Sequence, residues 1–232
     1  MIQIRKAEER GHNRHGWLDS YHTFSFAEYY DPAFVGFRSL RVINEDRIAG
    51  GAGFLMHEHQ DMEILTYVLE GELQHKDSMG NGTVIKPGEV QRMTAGTGII
   101  HSEHNASKKK PVHLLQIWIL PDEMGLRPGY EQKEFPDGLK RNMWCVLASP
   151  NRQAASIQIH QDVVMSCTLL GKSGALHYPV KEGRRVWCQL ARGAVKLNDV
   201  KLKVSDGAAV SGEDELVFRA SENSEILLFD LA

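Results

Sequence analysis

Residues 51–71 read GAGFLMHEHQDMEILTYVLEG. Side chains on a strand alternate between its two faces, so His57 and His59, two apart, present both imidazoles on one side. The run from Glu63 to Leu69 is strand-sized and apolar, and Glu70-Gly71 stops it with a pair that closes a tight turn at low steric cost. Outward from here, short runs of the same kind recur along the chain. Examples are Ser39 to Ile43, Thr83 to Ile85, His113 to Leu120, Ser156 to His160, Val186 to Leu190, Ala194 to Leu197 and Glu225 to Leu231. None carries a long 3.6-residue period, and Gly, Pro, Asn and Asp turns separate them. An all-β chain built of antiparallel barrels or sandwiches is expected.

The pattern occurs twice. Tyr67 to Gly71 is followed by a turn, Pro87-Gly88 and the apolar run Gln116 to Leu120; Gln189 to Gly193 is followed by a turn, Asp206-Gly207 and Leu227 to Leu231. Two similar barrels explain this spacing. The polar, proline-bearing stretch Pro121 to Gly138 interrupts the strand pattern. The expected organisation is one barrel over 1–125, a connection at 126–140, and a second barrel over 141–232.

Composition narrows the function classes. The 232 residues carry 27 Lys+Arg against 30 Asp+Glu, and the only basic cluster is Lys108-Lys109-Lys110, so no stripe suited to nucleic acid exists. No run of about 18 apolar residues offers a membrane span, and the start lacks an apolar targeting region. Cys145, Cys167 and Cys188 form neither a CxxC nor a disulfide framework, and each sits in apolar sequence as a reduced thiol does. A cytoplasmic monomer is expected.

His101-Ser102-Glu103, about forty residues after His57-Glu58-His59, repeats the i, i+2 geometry with one imidazole and one carboxylate. If both strands aim these pairs inward, three nitrogens and one oxygen converge on one point. That donor set suits Fe, Zn, Mn, Co, Ni or Cu, and leaves an octahedral ion two open positions.

Gly51-x5-His57-x-His59-x3-Glu63-x7-Gly71 resembles the first cupin motif, and Gly98-x2-His101-x3-Asn105 resembles the second, with seven residues instead of six between Glu63 and Gly71. That spacing, together with Gly16-Trp17-Leu18-Asp19, His22 to Phe26 and Tyr29-Tyr30-Asp31-Pro32, resembles the pirin family, and within it the bacterial quercetin 2,3-dioxygenase-like members. The resemblance implies two cupin barrels, and one divalent metal, iron(II) foremost, held by His57, His59, His101 and Glu103 in the first. It implies O2-dependent cleavage of a flavonol, a small planar phenolic substrate, with release of carbon monoxide. Glu103 is the candidate base for the flavonol hydroxyl. Two other classes stand beside this: a non-enzymatic metal-dependent regulator acting through a partner protein, and another cupin chemistry such as isomerisation.

In the second half, counting from Gly193 as from Gly71 puts Pro179 and Lys181 where the paired histidines stand, and Arg219 and Ala220 near the second motif, so no second metal site is expected there. Glu63 reads as an edge or supporting carboxylate. His75, His104 and His113 read as loop or surface groups, His160 and His177 as packing residues, and His12, His15 and His22 as lacking convergent partners. The aromatic cluster from Phe24 to Phe37 reads as core more than pocket, and Met56 and Met93 as core packing that could border the metal.

Overall fold

Alternation and glycine turns carry through to structure as twenty-two strands with three single-turn 3-10 helices, in a computed structural model that describes residues 1–232. The first strand, β1 (Ile2–Arg5), belongs with the C-terminal half. Eleven strands make up a first unit of Gly11–Glu134 with Ile159–Gln161: β2 (Gly11–His15), β3 (Leu18–His22), β4 (Leu40–Ile48), β5 (Gly53–His59), β6 (Glu63–Glu70), β7 (Leu73–Asp77), β8 (Gly82–Ile85), β9 (Glu89–Thr94), β10 (Ile99–Asn105), β11 (Val112–Ile119) and β12 (Gly129–Glu134). The second unit adds to β1 the strands β13 (Cys145–Ser149), β14 (Ile157–Gln158), β15 (Val163–Leu170), β16 (Ala175–Pro179), β17 (Arg185–Arg192), β18 (Ala194–Leu197), β19 (Val200–Lys203), β20 (Gly207–Ser211), β21 (Glu215–Ala220) and β22 (Ser224–Leu231).

Each unit pairs a seven-stranded sheet with a four-stranded one. In the first unit the orders are β12-β9-β6-β11-β4-β3-β2 and β5-β10-β7-β8; in the second, β1-β20-β17-β22-β15-β13-β14 and β16-β21-β18-β19. The repeat extends to detail. The β6–β11 ladder slips between His113 and Leu114, and the β17–β22 ladder slips at the matching place, between Leu190 and Arg192. Gly71 and Gly193 close the corresponding turns at φ +78° and +81°, where an L side chain is strained.

The chain divides differently from the expected 1–125, 126–140 and 141–232. Residues 1–10 go with the second unit, because β1 pairs with β20 from Ile2 opposite Val210 to Arg5 opposite Gly207. Gly129–Glu134, expected as part of a connection, is instead β12, an edge strand paired with β9. Its residues are half-buried on both sides, so it shows no apolar alternation, and an edge position tolerates that.

The interiors differ. One large apolar cluster of the second unit has Leu190, Leu197, Leu216, Phe218, Ile226 and Leu228 among its fully buried members. At ~1.5–3 kcal/mol for each fully buried large apolar side chain, such a cluster dominates that unit's stability. The first unit has two smaller clusters, one around Ile48, Val68, Leu73 and Leu114, the other around Ile64, Met93 and Ile99. Between them the strand registers set His22, Asn44, Gln116, Thr66 and Gln91 in one row across five strands.

Candidate metal centre

The polar row backs a group of histidines on the facing sheet. On β10, His101 and Glu103 share the inward face and are almost wholly buried. His101 lies opposite His57 on β5. Between His101 and Glu103 the register slips: two residues of β10 span three of β5, His57 back to Phe54. This bulge lets Phe54, His57 and His59 all face one cavity although strict alternation would separate the first from the others. It also turns Met56 outward to 57% exposure, so Met56 does not border the site, and Met93 is buried core. Gly53 allows the close approach of β5 to β10, since a Cβ there would lie 2.3 Å from the Glu103 carbonyl oxygen.

The rings of His57, His59 and His101 have centroids 4.4 to 4.9 Å apart, and their ligating atoms all lie within 4.8 Å of one another. The carboxylate of Glu103 stands within the same distance of His101 and of His75, so two groups of three share His101. Gln116 Nε2 donates to Glu103 Oε2 at 2.8 Å, Thr66 Oγ1 lies 3.4 Å from Oε1, and the Thr66 hydroxyl donates to Gln116 Oε1 at 2.8 Å. These contacts hold the carboxylate in one orientation. Burial nonetheless pushes its pKa above the usual glutamate range, against the hydrogen bond from Gln116.

The donors fit a divalent metal. Burial, then the neighbouring His57, lowers His59 to about 4. Burial, then His57, His59 and His75, lowers His101 to about 2. Both imidazoles are therefore neutral near pH 7, with a lone pair each. His57 Nδ1 donates to the Leu55 carbonyl at 2.7 Å, so Nε2 is the nitrogen left to serve as a ligand. His101 Nε2 is buried with no hydrogen-bond partner, a state that costs about 1–3 kcal/mol unless something meets the lone pair.

A cavity of about 400 Å³ borders this group. Leu18, Phe26, Phe54 and Trp118 give it apolar walls; His57, His59 and Glu103 give it its chemistry; His22, Asn44, Asp46 and Gln116 form a polar floor. Phe26 and His59 each meet the Trp118 ring edge-on, at 5.4 and 4.9 Å between centroids. Of the aromatic cluster from Phe24 to Phe37, Phe26 thus lines the pocket, Phe24 is core and Tyr30 is exposed.

Other sequence readings are corrected. His75 is not a loop or surface group: it is fully buried, its ring 5.3 Å from that of His101, and it bonds Asp77. The signal was available, because His75-Lys76-Asp77 has the same His-x-carboxylate spacing as His101-Ser102-Glu103. His113 is also no surface group, since it meets Glu45 at 2.9 Å from a mostly buried position. Glu63 is fully buried and supports His160, through the latter's Nδ1 at 3.3 Å, and not a member of the histidine group. In the second unit, registers counted from Gly71 and Gly193 put Tyr178, Leu216 and Phe218 at the places of His57, His101 and Glu103.

Family models match both halves: one described as Pirin over residues 3–119, and one described as Quercetinase C-terminal cupin domain over 146–231. The chain belongs to the pirin family. It therefore carries two cupin domains, and the pirin match spans the strands that bear His57, His59, His101 and Glu103. A quercetin 2,3-dioxygenase of Escherichia coli O157:H7 is 51% identical over 231 residues, covering 100% of this chain and 99% of that protein. A pirin-like protein of Caulobacter vibrioides is 37% identical over 233 residues, with each chain covered in full. Among solved structures, a bacterial pirin from Escherichia coli in complex with nickel(II) superposes with a TM-score of 0.95 at 50% identity, covering 100% of this chain and 99% of that one. No helix of this pirin is long and apolar enough to cross a membrane.

Proposed function

We propose that His57, His59, His101 and Glu103 hold one divalent metal ion, and that the protein is a dioxygenase cleaving flavonols such as quercetin with O2 and releasing carbon monoxide. The observation that carries this reading is the apolar cavity of about 400 Å³ onto which His57, His59 and Glu103 open, a space that suits a flat phenolic molecule. The name of the Escherichia coli relative supports the same chemistry. Iron(II) is the ion this reading favours; nickel(II), present in the Escherichia coli structure, fits the same donors, as do zinc, cobalt, manganese and copper. Once bound, the ion supplies Lewis acidity that lowers the pKa of a substrate hydroxyl.

The chain's own residues do the rest. Phe26, Phe54 and Trp118 pack against the aromatic substrate and exclude water. Gln116 occupies Glu103 Oε2, so Oε1, with only the longer Thr66 contact, is the atom that accepts the hydroxyl proton. Asn44 Oδ1 and Asp46 Oδ1 carry no hydrogen bond within the protein and belong to residues at the same cavity, where they pair with further phenolic hydroxyls.

The test is turnover of quercetin under air by metal-loaded protein, with carbon monoxide measured directly. Release by the wild type and not by Glu103→Gln supports the dioxygenase; stoichiometric metal without turnover sinks it. That second outcome favours the metal-dependent regulator acting through a partner protein. One observation speaks for the regulator: Leu55, Met56 and Ile100 are exposed on the two strands that carry His57, His59, His101 and Glu103, apolar surface of the kind partners use.

A further inference from the structure

The β7–β10 register sets Asp77 opposite His101 and His75 opposite Glu103. The side chains of His75 and Asp77 are both sealed from solvent and meet, Nε2 to Oδ2, at 3.0 Å. Asp77 has three more partners. Asn81 Nδ2 donates to Oδ2 at 2.8 Å, while the backbone N–H groups of Met79 and Asn81 donate to Oδ1 at 2.9 and 3.0 Å. Those three are obligate donors, so both carboxylate oxygens act as acceptors and His75 carries its proton on Nε2. With one proton on the ring, His75 keeps its lone pair on Nδ1. Facing it at 3.5 Å is Nδ1 of His101.

Two bare nitrogens cannot face each other in a buried site without leaving both unsatisfied. Nδ1 of His101 therefore holds a proton and gives it to His75, and the His101 lone pair falls on Nε2, the atom with no protein partner. Tyr130 lies against the His75 ring at 5.0 Å between centroids and fixes its plane.

We infer that Asp77 and His75 form a relay that sets the tautomer of His101 and delivers its Nε2 lone pair to the metal-binding group. Both are positioning residues. The inference rests on reading His101 as a ligand, and extends that reading to two residues that touch neither metal nor substrate. Carboxylate or carbonyl acceptors behind ligating imidazoles commonly govern metal affinity by about 10–100-fold.

Two measurements test it. Nitrogen-15 NMR of the metal-free protein reads the tautomers directly: the relay requires a protonated Nδ1 on His101 and a protonated Nε2 on His75, and the reverse arrangement overturns it. Zinc affinity, by competition with a chelator, is then compared across wild type, His75→Phe, His75→Gln and His57→Ala. Phe keeps an aromatic ring against Tyr130 but accepts nothing, so affinity falls by about 10–100-fold. Gln can accept from His101 and donate to Asp77, and recovers most of that loss. If Phe binds zinc better than Gln, His75 acts through packing alone and the relay is wrong. A nitrogen-15 shift of His75 Nδ1 typical of direct zinc coordination also overturns it, by making His75 a ligand. Unchanged affinity in His57→Ala removes the metal reading itself, and the metal-free tautomers then decide the relay alone.

Discussion

Across the floor of the first barrel run His22, Asn44, Gln116, Thr66 and Gln91; across the matching row of the second run Val146, Ser166, Leu228, Cys188 and Ala208. The facing sheet shows the same contrast, His57, His101, Glu103 and His75 against Tyr178, Leu216, Phe218 and Leu197. The strand orders correspond, and so does the ladder slip. Backbone architecture is thus set by features the two barrels share, alternation and positive-φ glycine turns, while one inward face is free to carry either a core or a site. Where the second barrel has one large cluster that includes Leu216, Phe218 and Leu228, the barrel with the polar row has two smaller ones, around Ile48 and around Ile64.

The largest effect expected is on the polar side of this comparison. The double variant His57→Ala/His59→Ala loses stoichiometric metal while its metal-free fold, followed by circular dichroism, is retained; elemental analysis showing full metal content refutes the ligand assignment. Next comes Glu103→Gln, which keeps the side chain's shape and much of the metal but lowers flavonol turnover by about 10²–10⁴-fold, the usual weight of a general base. Wild-type rates in that variant exclude Glu103 from the proton transfer. Its counterpart in the second barrel, Phe218→Ala, is expected to cost about 3–5 kcal/mol in urea denaturation through the cavity it leaves, with metal content unchanged. A loss of metal there would break the division of labour between the barrels.

The smallest effect is a pH dependence seated in the polar floor. Burial first, with help from Glu103 and Glu45 and against a hydrogen bond from Ser20, raises the Asp46 carboxyl from 3.8 to about 7. Between these values the folded protein keeps a proton that the unfolded chain has released. Stability conferred by that proton is full below the lower value and is lost as pH rises through the upper one, at a slope of at most about 1.4 kcal/mol per pH unit. Asp46→Asn cannot ionise and flattens this component. Parallel urea midpoints for the two metal-free proteins from pH 4 to 8 would argue against a buried, protonated Asp46.

How much of this was legible in the sequence follows from what leaves a local signature. The duplicated strand-turn pattern and the paired His57/His59 and His101/Glu103 sit at i, i+2 within single strands, so spacing alone exposes them. Asn44, Gln116 and Thr66 come from three strands and meet only through register, which no local pattern encodes. β12 stayed hidden because an edge strand with no buried face does not alternate. In the second barrel, counting from Gly193 gives Pro179 where the ladder puts Tyr178, since one more residue separates Tyr178 from β17 than separates His57 from β6.

The slip in β5 has a counterpart nowhere in the β16–β21 ladder, which runs unbroken from Ala175 to Pro179. Strand alternation is a two-beat rhythm, and the extra residue at Leu55–Met56 inserts a half-measure, so an aromatic wall and imidazoles that fall on opposite beats sound into one cavity. Deleting a single residue there would set Phe54 two and four residues before the two histidines, so a regular strand would hold wall and ligands on one face; the bulge is what their odd spacing requires.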